Sequence, residues 1–349
     1  YMTLSESISR LEVDEATRRE LKERYVDAIR RAPDYASHLP ISDHPLLQEG
    51  GDFQFHEWLE HPDYDEYWKA INVLESADRM RAPMLSIVGW HDNFLKSHFD
   101  LYAALSPHAP HRMVCGPWEH TNYVSPFSTS RTGAIEFGPD ATSGVSLSTP
   151  LCLDWFDRWL KGEPKGAEGG IRYWQLGDDE WRETPSWPPP HMEQRWYLRS
   201  GGCAGSLDGD GTLSTLPPGE EPPDSYLYDP LDPVPTVGGK LLMPTIMMAG
   251  IEDQTEVEER EDVLVYTSPY MVEPVEVNGR IRVELWAASS AVDTDFTAKL
   301  CDVSPEGFAA NLADGIVRAR YRETPRRRSP ELRPGEPTRF EIDLWDLAH

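Results

Sequence analysis

An α/β segment leading into an all-β one is the fold class this sequence predicts, and three observations predict it. Residues 84–115 read as strand, helix and strand. Amphipathic helical stretches precede them with no strand of their own. From Ile171 onward, short β-branched and aromatic runs punctuated by glycine and proline replace the helical periodicity.

The first helix is expected over residues 11–32. Asp14 and Glu15 enrich its first turn and Arg30 and Arg31 its last, Pro33 stops it, and Leu21, Tyr25, Ala28 and Ile29 share a face. A loop carrying Pro40, Pro45, Gly50 and Gly51 leads to helical stretches at 55–59 and, after Pro62, at 64–74. Trp58, Tyr64, Tyr67 and Trp68 give these helices an aromatic surface. Residues 84–88 are an apolar, β-branched run suited to a sheet buried on both faces, and the run stops at Gly89 and Trp90. Phe94, Leu95, His98, Phe99, Leu101, Tyr102 and Leu105 then recur at helical spacing until Pro107 and Pro110. A second strand at 112–115 runs into Gly116 and Pro117, with His120 in the loop beyond. After a loop with Ser125, Pro126, Gly133, Gly138 and Gly144, residues 151–160 form a helix whose broad apolar face suits packing on a sheet, and Gly162 ends it.

The later strands are expected at 171–176, 195–198, 263–266, 280–286, 297–303 and 316–322. Alternation is clean where Arg280, Arg282 and Glu284 face away from Ile281, Val283 and Leu285. Turns are expected at Gly177-Asp178, Gly201-Gly202, Gly238-Gly239, Asn278-Gly279 and 305–307, and the whole reads as a β-sandwich. Pro217, Pro218, Pro222 and Pro223 mark a stiff surface excursion, and the polar run at 252–262 reads as a solvated face.

Chemistry concentrates at the strand, helix, strand unit. Parallel strands joined by a right-handed crossover release both following loops at the carboxyl end of the sheet, where open α/β folds place their sites. Asp92 follows the first strand and His120 the second, so the two can meet. A buried carboxylate that accepts the Nδ1 proton of an imidazole leaves Nε2 free to take a proton from a nucleophile. That is the acid and base of a serine-hydrolase triad, in the order of nucleophile, acid and histidine used by α/β hydrolases. By pattern alone another reading stays open, in which Asp92 caps the helix beginning near Asn93 and His120 is a polar loop residue.

Composition narrows the partners. With 33 Lys and Arg against 60 Asp and Glu, the net charge of −27 argues against nucleic acid and anionic membranes. Arg326 to Arg328 form the one basic cluster and read as a solvated loop. Length (349 residues) and 39% apolar content allow two or three domains. Cys115, Cys152, Cys203 and Cys301 show no metal-ligand spacing, and buried free thiols are expected at Cys115 and Cys301. No apolar run reaches the roughly 18 residues of a membrane span. Cellular location stays open, with the cytoplasm favoured, and so does a homo-oligomeric state.

The segments GWHDNF (89–94) and GPWEHTN (116–122) closely resemble the acid and histidine motifs of the cocaine esterase family, which includes Xaa-Pro dipeptidyl-peptidases, α-amino acid ester hydrolases and glutaryl acylases. The resemblance continues, in the family's order, through WFDRWLKG (155–162), YDPLDPVPTVGG (228–239), EREDVLVYTS (259–268), DTDFTAKLCDVSPEG (293–307) and DGIVRARYRE (314–323). It implies that Asp92 is the triad acid, His120 the triad base, and Phe94 part of the acyl pocket. The implied architecture is an incomplete α/β-hydrolase domain with a helical lid, followed by a jelly-roll β-sandwich. Residues 1–80 would form the lid, 81–165 the rear half of the hydrolase domain, and 166–349 the jelly roll. The implied substrate is a small ester or amide, with no metal and no organic cofactor.

No Gly-x-Ser-x-Gly elbow occurs in the 349 residues. The nearest lookalike, Gly201-Gly202-Cys203-Ala204-Gly205, follows the histidine and has no helix after it, which argues against a catalytic cysteine. The resemblance places the nucleophile and oxyanion hole upstream of Tyr1, and a further strand or two of the jelly roll after Trp345. The expectation is a serine hydrolase whose serine lies on the upstream half, this chain alone being inactive. A catalytically silent interaction module, its half-sheet completed by another polypeptide, is the alternative.

Overall fold

A computed structural model describes residues 12–30, 38–44, 53–125, 128–242 and 249–349. Two units divide the chain, residues 1–72 with 324–328, and residues 73–323 with 329–349.

In the smaller unit, α1 spans Glu15–Arg30. Asp14 precedes it rather than joining its first turn, and its carboxylate accepts the Thr17 N–H at 2.9 Å and the Thr17 hydroxyl at 3.0 Å. This satisfies one of the orphan donors at the helix start. Leu11, Pro33 and the Gly50-Gly51 pair lie outside the described residues, as do the side chains of Tyr25, Ala28 and Ile29. Helices α2 (Phe53–Glu60) and α3 (Glu66–Ile71) follow. Asp65 caps α3 by accepting the Tyr67 N–H at 3.0 Å. Rings tie the two helices together: His61 stacks on Tyr67 at 4.5 Å, Trp58 lies 6.2 Å from Trp68, and the Trp68 indole donates to the His61 carbonyl. The stretch expected to be helical from 64 to 74 ends as an α-helix at Ile71, and a separate 3-10 segment spans Val73–Arg79.

The basic cluster at Arg326 to Arg328 is not simply solvated, contrary to the expectation from sequence. The Arg326 guanidinium sits 4.8 Å from the Tyr64 ring centroid, the Tyr64 N–H donates to the Arg326 carbonyl, and the Arg328 N–H and guanidinium both meet the Asp63 carboxylate. A nearby carboxylate and an aromatic face give these cations local partners, which composition alone does not reveal.

The larger unit begins with β1 (Met84–His91), α4 (Leu95–Leu105) and β2 (His111–Glu119). Strands β1 and β2 are parallel, with Met84 opposite His111 and Gly89 opposite Gly116, and both run past the ends expected from sequence. A short helix α5 (His120–Val124), the ribbon of β3 (Arg131–Thr132) and β4 (Ile135–Glu136), and α6 (Ser148–Lys161) follow. Gly162 closes α6 in the left-handed conformation, as a C-terminal glycine does. The apolar face of α6 packs less than its pattern suggests. Trp155 is buried, whereas Leu153, Phe156 and Leu160 are exposed.

Strands β5 (Gly170–Gln175) and β6 (Glu180–Thr184) correct another expectation. The first was expected to open the sandwich and the second has no counterpart in the sequence reading, yet β5 pairs parallel with β2 and antiparallel with β6, giving one four-stranded sheet of order β1-β2-β5-β6. Val88, Met113, Cys115, Ile171 and Tyr173 fill the core on this sheet, with Trp90 and Trp174 fully buried beside them.

The remaining elements are β7 (Tyr197–Arg199), β8 (Thr212–Ser214), α7 (Thr255–Glu258), β9 (Asn278–Ala287), β10 (Asp295–Val303), β11 (Ala309–Arg318) and β12 (Thr338–Ala348). Two antiparallel pairs, β9 with β12 and β10 with β11, form a β-sandwich. Its core unites Phe296 and Ala313 with Phe340, Ile342 and Leu344. Strand β12 has no counterpart in the sequence reading. Asn278 and Gly279 open β9 instead of forming a turn, residues 263–266 make only isolated bridges, and the strand expected at 316–322 begins at Ala309 and yields to a 3-10 turn at Ala319–Tyr321.

Candidate active site

Asp92 leaves β1 through a tight turn, its N–H bonding to the Gly89 carbonyl at 3.1 Å. Its carboxylate is fully buried and does two jobs. Oδ1 accepts the Phe94 N–H at 2.7 Å and so steadies the start of α4, while Oδ2 accepts the Nδ1 proton of His120 at 3.1 Å. Asp92 is not the cap of α4, as the other sequence reading had it: the N-cap is Phe94 and has no side-chain cap bond, so Oδ1 holds the turn before the helix while Oδ2 orients the imidazole.

His120 is not in a loop, as the sequence suggested, but is the first residue of α5. Glu119 caps that helix by accepting the Thr121 N–H at 2.6 Å, which fixes the backbone that carries the imidazole. Beyond it, the Asn122 side chain donates to the Thr129 and Arg131 carbonyls and accepts the Thr129 N–H, pinning the following loop. With Nδ1 held by the carboxylate, Nε2 keeps its lone pair and has no hydrogen-bond partner among the described residues. The His120 side chain is 25% exposed against 0% for Asp92, so the base is reachable and the acid is not. The Phe94 ring lies 5.2 Å from the His120 ring at 63°, and the Tyr123 ring lies 5.9 Å from it at 90°.

The sheet brings these two loops together by close packing. A Cβ on Gly89 would lie 2.0 Å from the Trp118 carbonyl oxygen, and one on Gly116 2.5 Å from the Trp118 ring, so only glycine lets β1 and β2 end in this register. Trp118 is fully buried and donates to the Ala141 carbonyl, and Trp90 donates to the Trp174 carbonyl.

Other clusters lack these features. Ser86 Oγ lies 2.8 Å from His111 Nε2, but that pair is buried at the opposite end of the strands and His111 Nδ1 has no partner, so no acid orients it. Burial pushes the His111 pKa down to about 4. Cys203 is exposed in a loop shaped by Asp210, which accepts the Gly201 and Cys203 N–H groups, and no helix follows it. Cys115 is a buried free thiol raised well above its usual pKa by burial and by the Asp92 charge, and Cys301 is half-buried. Among the described residues no three His, Cys, Asp or Glu side chains gather as a metal cluster, and no helix is long and apolar enough to cross a membrane.

Two protein families match this chain. The X-Pro dipeptidyl-peptidase (S15 family) matches residues 4–122, which include Asp92, Phe94 and His120, and the X-Pro dipeptidyl-peptidase C-terminal non-catalytic domain matches residues 165–349. The cocaine esterase of Rhodococcus sp. (strain MB1 Bresler) is 41% identical over 83% of this chain and 50% of its own length. This chain belongs to the cocaine esterase and X-Pro dipeptidyl-peptidase family. An aminopeptidase from a marine sediment archaeon, Thaumarchaeota archaeon, superposes with a TM-score of 0.70 at 25% identity, over 86% of this chain and 50% of that one. The chain thus spans about half the length of these relatives. Within the family's α/β-hydrolase and β-sandwich arrangement, the non-catalytic match begins at residue 165, although β5 and β6 pair with the sheet that carries Asp92 and His120.

Proposed function

We propose that this chain supplies the acid and the base of a Ser-His-Asp acyl hydrolase whose serine lies on polypeptide upstream of Tyr1. The contact between Asp92 Oδ2 and His120 Nδ1 supports the reading most directly. In the proposed reaction a serine attacks an ester or amide carbonyl, and His120 Nε2 takes its proton and passes it to the leaving group. Asp92 stabilises the imidazolium, and water repeats the sequence on the acyl-enzyme. Phe94, 43% exposed beside the imidazole, lines the acyl pocket in this reading. The helices within residues 1–80 serve as a lid, residues 81–165 as the rear of the hydrolase domain and residues 166–349 as a jelly roll. The names of the relatives, one an esterase and the other an aminopeptidase, keep both small esters and peptide amides within the proposed substrate class.

A fluorophosphonate that labels active-site serines tests the division of labour. Labelling is expected only when the upstream polypeptide is present, and on that polypeptide. Labelling of this chain by itself overturns the placement of the nucleophile, and no labelling in the complete protein favours a silent interaction module. In the complete enzyme Asp92→Asn is expected to cut turnover by about a hundredfold or more with little change in binding. Near wild-type turnover removes Asp92 from the triad.

A further inference from the structure

Asn122 closes the motif GPWEHTN, and no step of the proposed reaction uses it. Yet it is buried and its amide is almost fully committed. Nδ2 donates to the Thr129 carbonyl at 3.0 Å and to the Arg131 carbonyl at 3.1 Å, and Oδ1 accepts the Thr129 N–H at 2.8 Å. These bonds tie α5 to the entrance of β3. A further bond ties β3 to the chain on the other side of the histidine, where the buried Thr132 hydroxyl donates to the Pro117 carbonyl at 2.5 Å. His120 thus lies between the Pro117 and Asn122 fastenings. The ribbon they fasten to is itself fixed: Gly133 bridges Ile251, a core residue, and the Ala134 N–H donates to the Ile251 carbonyl at 2.7 Å. A Cβ on Gly133 would lie 2.2 Å from that carbonyl oxygen, so only glycine permits the approach.

We propose that Asn122 is a positioning residue for His120, clasping α5, together with Thr132, against the 129–132 segment so that the imidazole meets Asp92. The inference rests on the hydrolase reading for its catalytic meaning, though not for its geometry. A helix as short as His120–Val124 has little stability of its own, because the cost of nucleation outweighs so few hydrogen bonds. Its ends must be held from outside. Glu119 holds the first turn through the Thr121 N–H, and Asn122 holds the last through the Thr129 and Arg131 carbonyls. Asn122 makes no hydrogen bond to His120 or Asp92 among the described residues, so it acts through the backbone that carries the ring. The 3.1 Å bond from Nδ1 to Asp92 depends on that backbone. The tautomer of a neutral imidazole is set by the bond its nitrogens make: with Asp92 engaged the proton stays on Nδ1, and without it Nε2 also carries the proton and cannot accept one from a nucleophile.

The test reads the His120 tautomer by nitrogen NMR in this chain carrying labelled histidine, at about pH 8.5, where an ordinary histidine is neutral. It does not depend on turnover, and His120→Gln assigns the signals. In the wild type the proton is expected on Nδ1. Asn122→Ala is expected to give the Nε2–H form at least about a third of the population, while hydrogen exchange of the Trp118 indole N–H, which donates to the buried Ala141 carbonyl, changes by less than about threefold. A merely structural asparagine would leave the tautomer in place or loosen both groups together, and either result overturns the proposal. If Asn122→Ala does not fold, Thr132→Val takes its place, removing only the hydroxyl that holds the Pro117 carbonyl, and an unchanged tautomer there overturns the proposal. In the complete enzyme Asn122→Ala is expected to lower kcat about tenfold or more with KM within about twofold, since a misplaced base weakens the transition state and not substrate binding. Where a serine labels, an unchanged kcat also overturns the role. If the tautomer shifts but the complete protein labels no serine, the positioning stands and the hydrolase reading falls. If a serine labels and the tautomer does not move, the hydrolase reading stands and the clasp falls.

Discussion

Acid should weaken this fold through two histidines buried as neutral rings. His111 is held at a pKa of about 4 by burial. His91 is held at about 3 by burial first and then by the Lys240 charge, with Asp314 opposing. An unfolded histidine titrates near 6.5. Between the folded and unfolded values the unfolded chain binds more protons, so the stabilisation is fully present above pH 6.5 and is lost as pH falls. From pH 7 to pH 5 linkage gives a loss of about 2 kcal/mol for each ring, a figure set mainly by the unfolded value because both folded values lie below 5. Asp346, Glu252 and Glu258, whose pKa values burial raises, work in the other direction as pH drops, so the whole-protein curve mixes the terms. The decisive quantity is therefore a difference between two proteins. His111→Gln keeps a hydrogen-bonding group near Ser86 but cannot titrate. Urea unfolding followed by tryptophan fluorescence, at pH 7 and pH 5, should show the variant losing about 2 kcal/mol less than wild type over that interval. Equal losses would mean that the ring at position 111 is not held neutral in the folded chain.

Two further substitutions probe how the site is held. Arg280 lies between Asp100 of α4, at 2.8 Å, and Asp343 of β12, and joins the helix that follows Asp92 to the sandwich. Arg280→Met leaves two half-buried carboxylates without their shared cation and should cost about 2 kcal/mol in urea unfolding, discounted from the fully buried case for partial exposure. Little or no change in the midpoint would place that network among ordinary surface pairs. Gly89→Ala drives a Cβ onto the Trp118 carbonyl, a backbone atom with no rotamer to escape into, and should cost at least about 2 kcal/mol and move the His120 ring signals. Unchanged stability and unchanged signals would show that the close approach of β1 and β2 is dispensable.

Legibility in the sequence followed the range of the interactions concerned. The β1, α4 and β2 unit was readable because its apolar periodicity, its two terminating prolines and its glycines act within a few residues. Asp92 and His120 were readable for the same reason, since parallel strands deliver their following residues to one end of the sheet. Tyr123 was not, because α5 is too short for a helical period to register and is set by the Glu119 cap. Arg326 and Arg328 gained partners from Asp63 and Tyr64, more than 260 residues earlier in the chain, as no charge count could indicate. The apolar face of α6 was correctly read as a pattern and incorrectly read as packed, because a stripe states what a helix offers and not what meets it.

By itself the sequence determined where the strands and helix of the β1, α4 and β2 unit form and which residue types sit at the ends of β1 and β2, since backbone preference and side-chain periodicity are local. Tertiary structure decided that β5 and β6 extend the same sheet, and that Asp92 is closed off from water while His120 is not. Strand pairing and burial depend on partners brought from far along the chain, and those partners exist only once the loops between them have closed.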